Sequence, residues 1–126
     1  MPVVLDASAM MAVILVEPGR ELVAAQLPDA VIGTVNWSEV VAKLVSQHWA
    51  PEDALDAVES LGTSVVTFDQ QLARTAALLI NPTRHLGLSF GDRACLALAQ
   101  ALHLPVLTAD RSWARLQIGV EVRLVR

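Results

Sequence analysis

Four carboxylates in this chain stand where the local sequence marks the end of a strand or the start of a helix. Asp6 follows the apolar run Val3-Val4-Leu5, and Asp110 follows Val106-Leu107-Thr108-Ala109 in the same manner. Glu39 and Asp92 occupy Asn36-x-x-Glu39 and Ser89-x-x-Asp92, each opening a segment of periodic apolar residues. Short continuous apolar runs read as strands buried on both faces. In an open α/β sheet, ligands bind beyond the C-terminal strand ends, and the helices that follow strands begin at that same edge. All four acids are therefore expected at one edge of one sheet.

Each acid also has a plainer explanation. Asn-x-x-Glu and Ser-x-x-Asp approach the spacing of a capping box, and an Asp after a strand often caps a helix or closes a turn. Their joint arrangement carries the chemical reading. Carboxylates within a few ångströms of one another repel, which raises some pKa values unless a cation sits among them. An all-oxygen donor set favours Mg²⁺ or Mn²⁺ over zinc, and such ions keep water and bind substrate phosphates. Phosphodiester hydrolysis is the chemistry that follows. His48, His85 and His103 have no metal-binding spacing and read as structural or surface residues.

The elements that must position these acids alternate along the chain. Strands are expected at Val3 to Leu5, Ala30 to Thr34, Ser64 to Phe68, Pro105 to Thr108 and, as an edge strand, Val120 to Leu124. Helices are expected between them. One, capped by Ser8, runs through Met10 to Val16, and a second begins at Pro18. A third follows Asn36 with Glu39 in its first turn, and a fourth opens at Pro51. A fifth is capped by Asp69, and a sixth runs from Leu88 to Leu102 with Asp92 in its first turn. A short helix covers Arg111 to Leu116. The sixth is apolar around nearly its whole circumference and should be central, with Cys95 a small core residue. Strands alternating with helices imply an α/β fold: a mostly parallel sheet with helices on both faces.

At 126 residues the chain has the size of one domain, and 54% hydrophobic residues with a mean hydropathy of +0.49 are high for that size. Some apolar surface should stay uncovered in a monomer, which points to a partner chain, a homodimer, or both. The longest uncharged apolar run, Ala7 to Val16, is too short to span a bilayer. The first basic residue, Arg20, lies after the apolar stretch rather than before it as a secretory signal requires, so a cytoplasmic location is expected. The net charge of −4 excludes a broadly basic nucleic-acid binder. Any nucleic acid must be held locally, and Arg84, Arg93, Arg111 and Arg115 lie close in sequence to the acids.

Taken together, Val-Val-Leu-Asp6-Ala-Ser-Ala, Glu39 in the helix after the second strand, Leu-Ser-Phe-Gly-Asp92-Arg-Ala-Cys-Leu-Ala-Leu-Ala and Leu-Thr-Ala-Asp110-Arg-x-Trp113 resemble the PIN-domain ribonucleases. The nearest likeness is to the VapC toxins of VapBC toxin–antitoxin pairs, and it spans essentially the whole chain, residues 1–126, as a single PIN domain. The resemblance implies a three-layer α/β/α fold and a Mg²⁺- or Mn²⁺-dependent endoribonuclease whose acids are Asp6, Glu39, Asp92 and Asp110. It also implies an RNA substrate, a VapB-like antitoxin and dimers. Phe90 stands where the family more often has an aliphatic residue. A fifth acid sometimes found just after the fourth is missing, since Arg111, Ser112 and Trp113 follow Asp110.

On this reading Asp6 and Asp92 hold the principal metal, while Glu39 and Asp110 complete the cluster and orient the nucleophile. In-line attack by metal-bound water leaves a 5′-phosphate and a 3′-hydroxyl. Ser8 and Thr108 are candidates to hydrogen-bond the carboxylates, and Arg93 and Arg111 to touch the RNA backbone. Two other readings stay open: a nuclease of the same architecture acting on DNA, and a non-catalytic module that only binds another protein. A phosphoacceptor domain using Asp69 and Asp6 would need a lysine after the last core strand, whereas the only lysine, Lys43, falls in a helix.

Overall fold

The computed structural model describes residues 2–126. Five short strands build its sheet: β1 (Val3–Leu5), β2 (Ala30–Gly33), β3 (Ser64–Val66), β4 (Val106–Thr108) and β5 (Val122–Leu124). Their order is β3-β2-β1-β4-β5, and all four adjacent pairs are parallel. The edge strand β5 is parallel as well, so the expectation of a mostly parallel sheet is met throughout. β1 lies at the centre with no side-chain exposure at Val3, Val4 or Leu5.

The pleat of β1 divides the core. Val3 and Leu5 face a layer made of α1 (Ala7–Ile14), α2 (Arg20–Gln26), α3 (Thr34–Ser46) and α4 (Pro51–Glu59). Val4 faces the opposite layer, α5 (Gln70–Leu78) and α6 (Phe90–Leu102), where Trp113 is fully buried. The result is the three-layer α/β/α arrangement. α6 buries Ala94 through Ala99 continuously, as its apolar circumference requires, and the Cys95 sulfur lies 3.8 Å from the Leu5 carbonyl oxygen of the central strand.

Chain order runs outward in both directions from β1: to β2 and β3 on one side, to β4 and β5 on the other. The direction reverses between β1 and β4. That reversal leaves a crevice beyond the strand ends, bordered by the segments after β1 and after β4. Asp6 and Asp110 occupy those two segments.

Several local expectations are corrected. Ser8 does not cap α1; Asp6 does, its Oδ1 accepting from Ala9 N at 2.8 Å, and Ser8 lies within the first turn. The helix ends at Ile14 rather than Val16, which adopts a left-handed φ of 57°. α2 begins at Arg20, not Pro18, because Gly19 turns the chain at φ 94°. A side chain at Gly19 would fall on the Val125 carbonyl, so the chain's last residues pack where only glycine fits. α3 starts at Thr34 directly after β2, with Gly33 as its cap, which puts Asn36 inside the first turn and Glu39 in the second. No helix among the described residues is long and apolar enough to cross a membrane.

Candidate active site

The centre of the site is the carboxylate of Asp6, only 5% exposed. Its Oδ2 accepts from Thr108 Oγ1 at 2.5 Å, and its Oδ1 accepts from Ser8 Oγ at 2.7 Å as well as from Ala9 N. The two hydroxyls then accept in turn: Ser8 Oγ from Ala109 N at 2.9 Å, Thr108 Oγ1 from Asp110 N at 3.0 Å. Each hydroxyl has a single proton, already given to Asp6, so the 3.4 Å approach of Ser8 Oγ to Thr108 Oγ1 is a contact between two acceptors. The network ties the end of β1 to the end of β4 across the crevice.

Burial raises the pKa of Asp6 to about 6; the three donors pull it down, and the charge of Asp92 pushes it up further. Desolvation therefore prevails over hydrogen bonding. Among the described residues none of the four acids forms an ion pair, so no protein cation offsets this charge.

The other three acids are more open. Asp92 lies in a complete capping box at the start of α6, its Oδ2 accepting from Ser89 N at 3.1 Å and its own N–H donating to Ser89 Oγ at 3.2 Å. Glu39, half-buried, accepts at Oε1 from Asn36 Nδ2 at 2.7 Å. Asp110 is exposed and caps a 3-10 turn over Arg111–Arg115 through Ser112 N and Oγ, at 3.0 and 2.7 Å. Capping is thus a real role for Asp6, Asp92 and Asp110, but not for Glu39.

Asp6, Glu39 and Asp92 gather around the fully buried Cys95. Burial first, then the charges of Asp6, Asp92 and Glu39, push its thiol well above the ordinary range, so it stays protonated and unreactive. Asp110 joins the group through Thr108. The carboxylates do not close into a chelate: among the described residues no three His, Cys, Asp or Glu side chains are close enough to hold an ion together. The expectation of four acids within a few ångströms is corrected to an open arrangement around one buried carboxylate.

The two candidate arginines each make a contact within the chain. Arg93 Nη1 donates to the Ala76 carbonyl of α5 at 2.9 Å, and its guanidinium lies 5.9 Å from the Phe90 ring centre. Through that bond it braces α6 against α5. Phe90 in turn meets Phe68 edge to face at 5.6 Å, a packing role. Arg111 is exposed and points towards the Arg126 carbonyl, 3.4 Å away. The residue missed from sequence is Asn36. It is 3% exposed and donates to Glu39 and also to the Gly91 carbonyl at 3.0 Å.

A model of the PIN domain matches residues 3–119. The chain belongs to the PIN domain family. Solved structures superpose along nearly its whole length. A DNA-bound VapBC from Salmonella typhimurium gives a TM-score of 0.80 at 20% identity, covering 100% of this chain and 99% of that one. VapBC-1 from nontypeable Haemophilus influenzae gives 0.76 at 16% identity, with 99% and 98% covered. VapBC-5 from Mycobacterium tuberculosis gives 0.65 at 23% identity, with 99% and 98% covered. No curated protein sequence matches this PIN domain significantly.

PIN-domain nucleases depend on divalent metal, and the donors here suit such an ion chemically. The four acids, Ser8 and Thr108 all offer oxygen, and the buried Asp6 carboxylate, without an ion-pair partner among the described residues, is the kind of charge a cation would stabilise. Mg²⁺ usually takes only one or two carboxylates and keeps several waters, which agrees with acids that do not close into a three-ligand cluster. Asp6 and Asp92 would hold it, directly or through water.

Proposed function

We propose that this PIN domain is a Mg²⁺- or Mn²⁺-dependent endoribonuclease of the VapC type, acting in the cytoplasm as the toxin of a toxin–antitoxin pair. The observation that carries the reading is the buried Asp6 carboxylate at the sheet's reversal point, without an ion-pair partner among the described residues and repelled by the charge of Asp92. The VapBC complexes among the structural neighbours support the toxin assignment and a VapB-like partner.

A divalent metal held by Asp6 and Asp92 would lower the pKa of a bound water and offset charge on the scissile phosphate. The chain's own residues prepare the place. Thr108 and Ser8 fix both oxygens of Asp6, so the carboxylate enters the reaction already oriented. Glu39 and Asp110 each keep one carboxylate oxygen without a partner among the described residues, available to orient a nucleophilic water or accept its proton. The N-terminal ends of α1, α3 and α6 lie at this edge and favour an anionic backbone there.

The test is to incubate the purified protein with RNA and with single-stranded DNA of the same sequence, with Mg²⁺, with Mn²⁺ and with chelator. The proposal expects metal-dependent RNA cleavage that falls to background in Asp6→Asn. Cleavage of DNA in preference to RNA would replace the substrate assignment, and undiminished cleavage by folded Asp6→Asn would remove the site. Coexpression with the product of the neighbouring reading frame tests the antitoxin, and sedimentation tests the homodimer.

A further inference from the structure

We propose that Asn36 is a positioning residue, whose amide holds the Glu39 carboxylate over Gly91 at the start of α6 and thereby fixes Glu39 relative to Asp92. This deepens the metal-dependent nuclease reading and rests on it. Asn36 Nδ2 has two protons and two acceptors: Glu39 Oε1 at 2.7 Å and Gly91 O at 3.0 Å. Both partners only accept, so chemistry settles which way the amide faces. Asn36 is 3% exposed, so its amide is shielded from bulk solvent.

The arrangement is not a helix cap. α3 is capped at Gly33 without a side-chain bond, and Asn36, a modest helix former, sits at its third position spending both donors outside the helix backbone. The second acceptor belongs to the residue immediately before Asp92. One amide thus links the side chain of one acid to the main chain beside another.

Gly91 completes the device from the other side. A Cβ at this position would fall on the Glu39 carboxylate itself, nearer to it than to any other group. Glycine is required here by the closeness of that carboxylate. Without the Asn36 clamp, Glu39 has somewhere to go: it lines an open groove of about 580 Å³ with Thr34, Val35, Ser38, Ala42 and Phe68.

Two substitutions therefore displace the same carboxylate by different routes. Asn36→Ala removes the donor, and Gly91→Ala inserts a methyl group where Glu39 rests. Because the obstructed atoms are the far end of a flexible side chain, Gly91→Ala should fold, with a modest loss of stability from the buried Asn36 N–H left without Glu39. It answers the question even if Asn36→Ala does not fold.

Mn²⁺ affinity, measured by titration calorimetry or electron paramagnetic resonance, is the readout, alongside RNA cleavage. Each single variant should weaken Mn²⁺ binding about tenfold. In a Glu39→Ala background the same changes should alter it by less than about twofold, since their effect runs through Glu39. Equal losses in both backgrounds, or wild-type affinity in Gly91→Ala, would overturn the positioning role while leaving the nuclease reading intact. Wild-type protein that neither binds Mn²⁺ nor cuts RNA would overturn both.

Discussion

Thr108, on the strand beside β1, donates its hydroxyl proton to Asp6 from 102 residues away in the chain and accepts the N–H of Asp110 with the same oxygen. One buried atom thus joins two of the acids and the two strands at the sheet's reversal point. Thr108→Val keeps the shape and removes both bonds. It leaves a buried carboxylate short of a donor and a main-chain N–H without its acceptor, so the loss of stability should be about 1–3 kcal/mol. Urea unfolding measures it. A midpoint unchanged from wild type would show that the bond contributes nothing net.

Asp6 itself should cost stability at neutral pH in the absence of metal. Its native pKa of about 6 lies above the unfolded value near 3.8, so between these values the native state binds more protons than the unfolded chain. Stability from this group therefore falls as pH rises through that window and stays low above it. The shift corresponds to roughly 3 kcal/mol at pH 7 and to almost nothing below about pH 3. Asp6→Asn retains an acceptor for Ala9 N and Ser8 Oγ, and Thr108 Oγ1 can accept from its amide. Metal-free Asp6→Asn should melt above wild type at pH 7.5, with the gap closing by about pH 3. A gap that stayed constant across this range would contradict the buried-charge account.

What the sequence disclosed about this site depended on how local the signal was. The strands were legible because runs such as Val3-Val4-Leu5 can be buried on both faces whatever surrounds them, and the acids were legible because they end those runs. Caps were harder. Asp6 and Ser8 both suit a helix start, and which of them caps depends on the hydroxyl of Thr108 across the sheet. Asn36 resembled a cap, yet α3 begins earlier because β2 passes into it without a loop, and Thr34 Oγ1 accepts from Phe68 N in a distant segment. Arg93 is next to Asp92 in sequence, but adjacent helix positions point about 100° apart, and its guanidinium goes to α5. Each of these contacts is made with a long-range partner that adjacent residues do not announce.

Divalent metal should reverse the penalty at Asp6. A cation at the crevice offsets the buried charge, so millimolar Mg²⁺ or Mn²⁺ should raise the melting temperature of wild type. At a hundred times the dissociation constant the gain is about 2.7 kcal/mol. Protons compete for the same carboxylate, so the gain should shrink as pH falls through 6. Asp6→Asn should show little gain at any pH. Equal stabilisation of wild type and Asp6→Asn would place the ion elsewhere.

Asp92 serves both as a cap and as a charge near Asp6, and two substitutions separate these roles. Asp92→Asn keeps an oxygen to accept from Ser89 N, and the Ser89 hydroxyl still receives the N–H of residue 92, so the box survives. Its stability should stay close to wild type. Asp92→Ala removes half of the box and should cost about 1 kcal/mol. Both remove the negative charge, so both should abolish metal-dependent RNA cleavage and both should lower the pKa of Asp6 by removing the repulsion it feels. Urea unfolding paired with cleavage assays of the two variants gives the comparison. If Asp92→Asn were as active as wild type while Asp92→Ala lost activity in proportion to stability, Asp92 would be a cap and nothing more, and the site would rest on Asp6, Glu39 and Asp110.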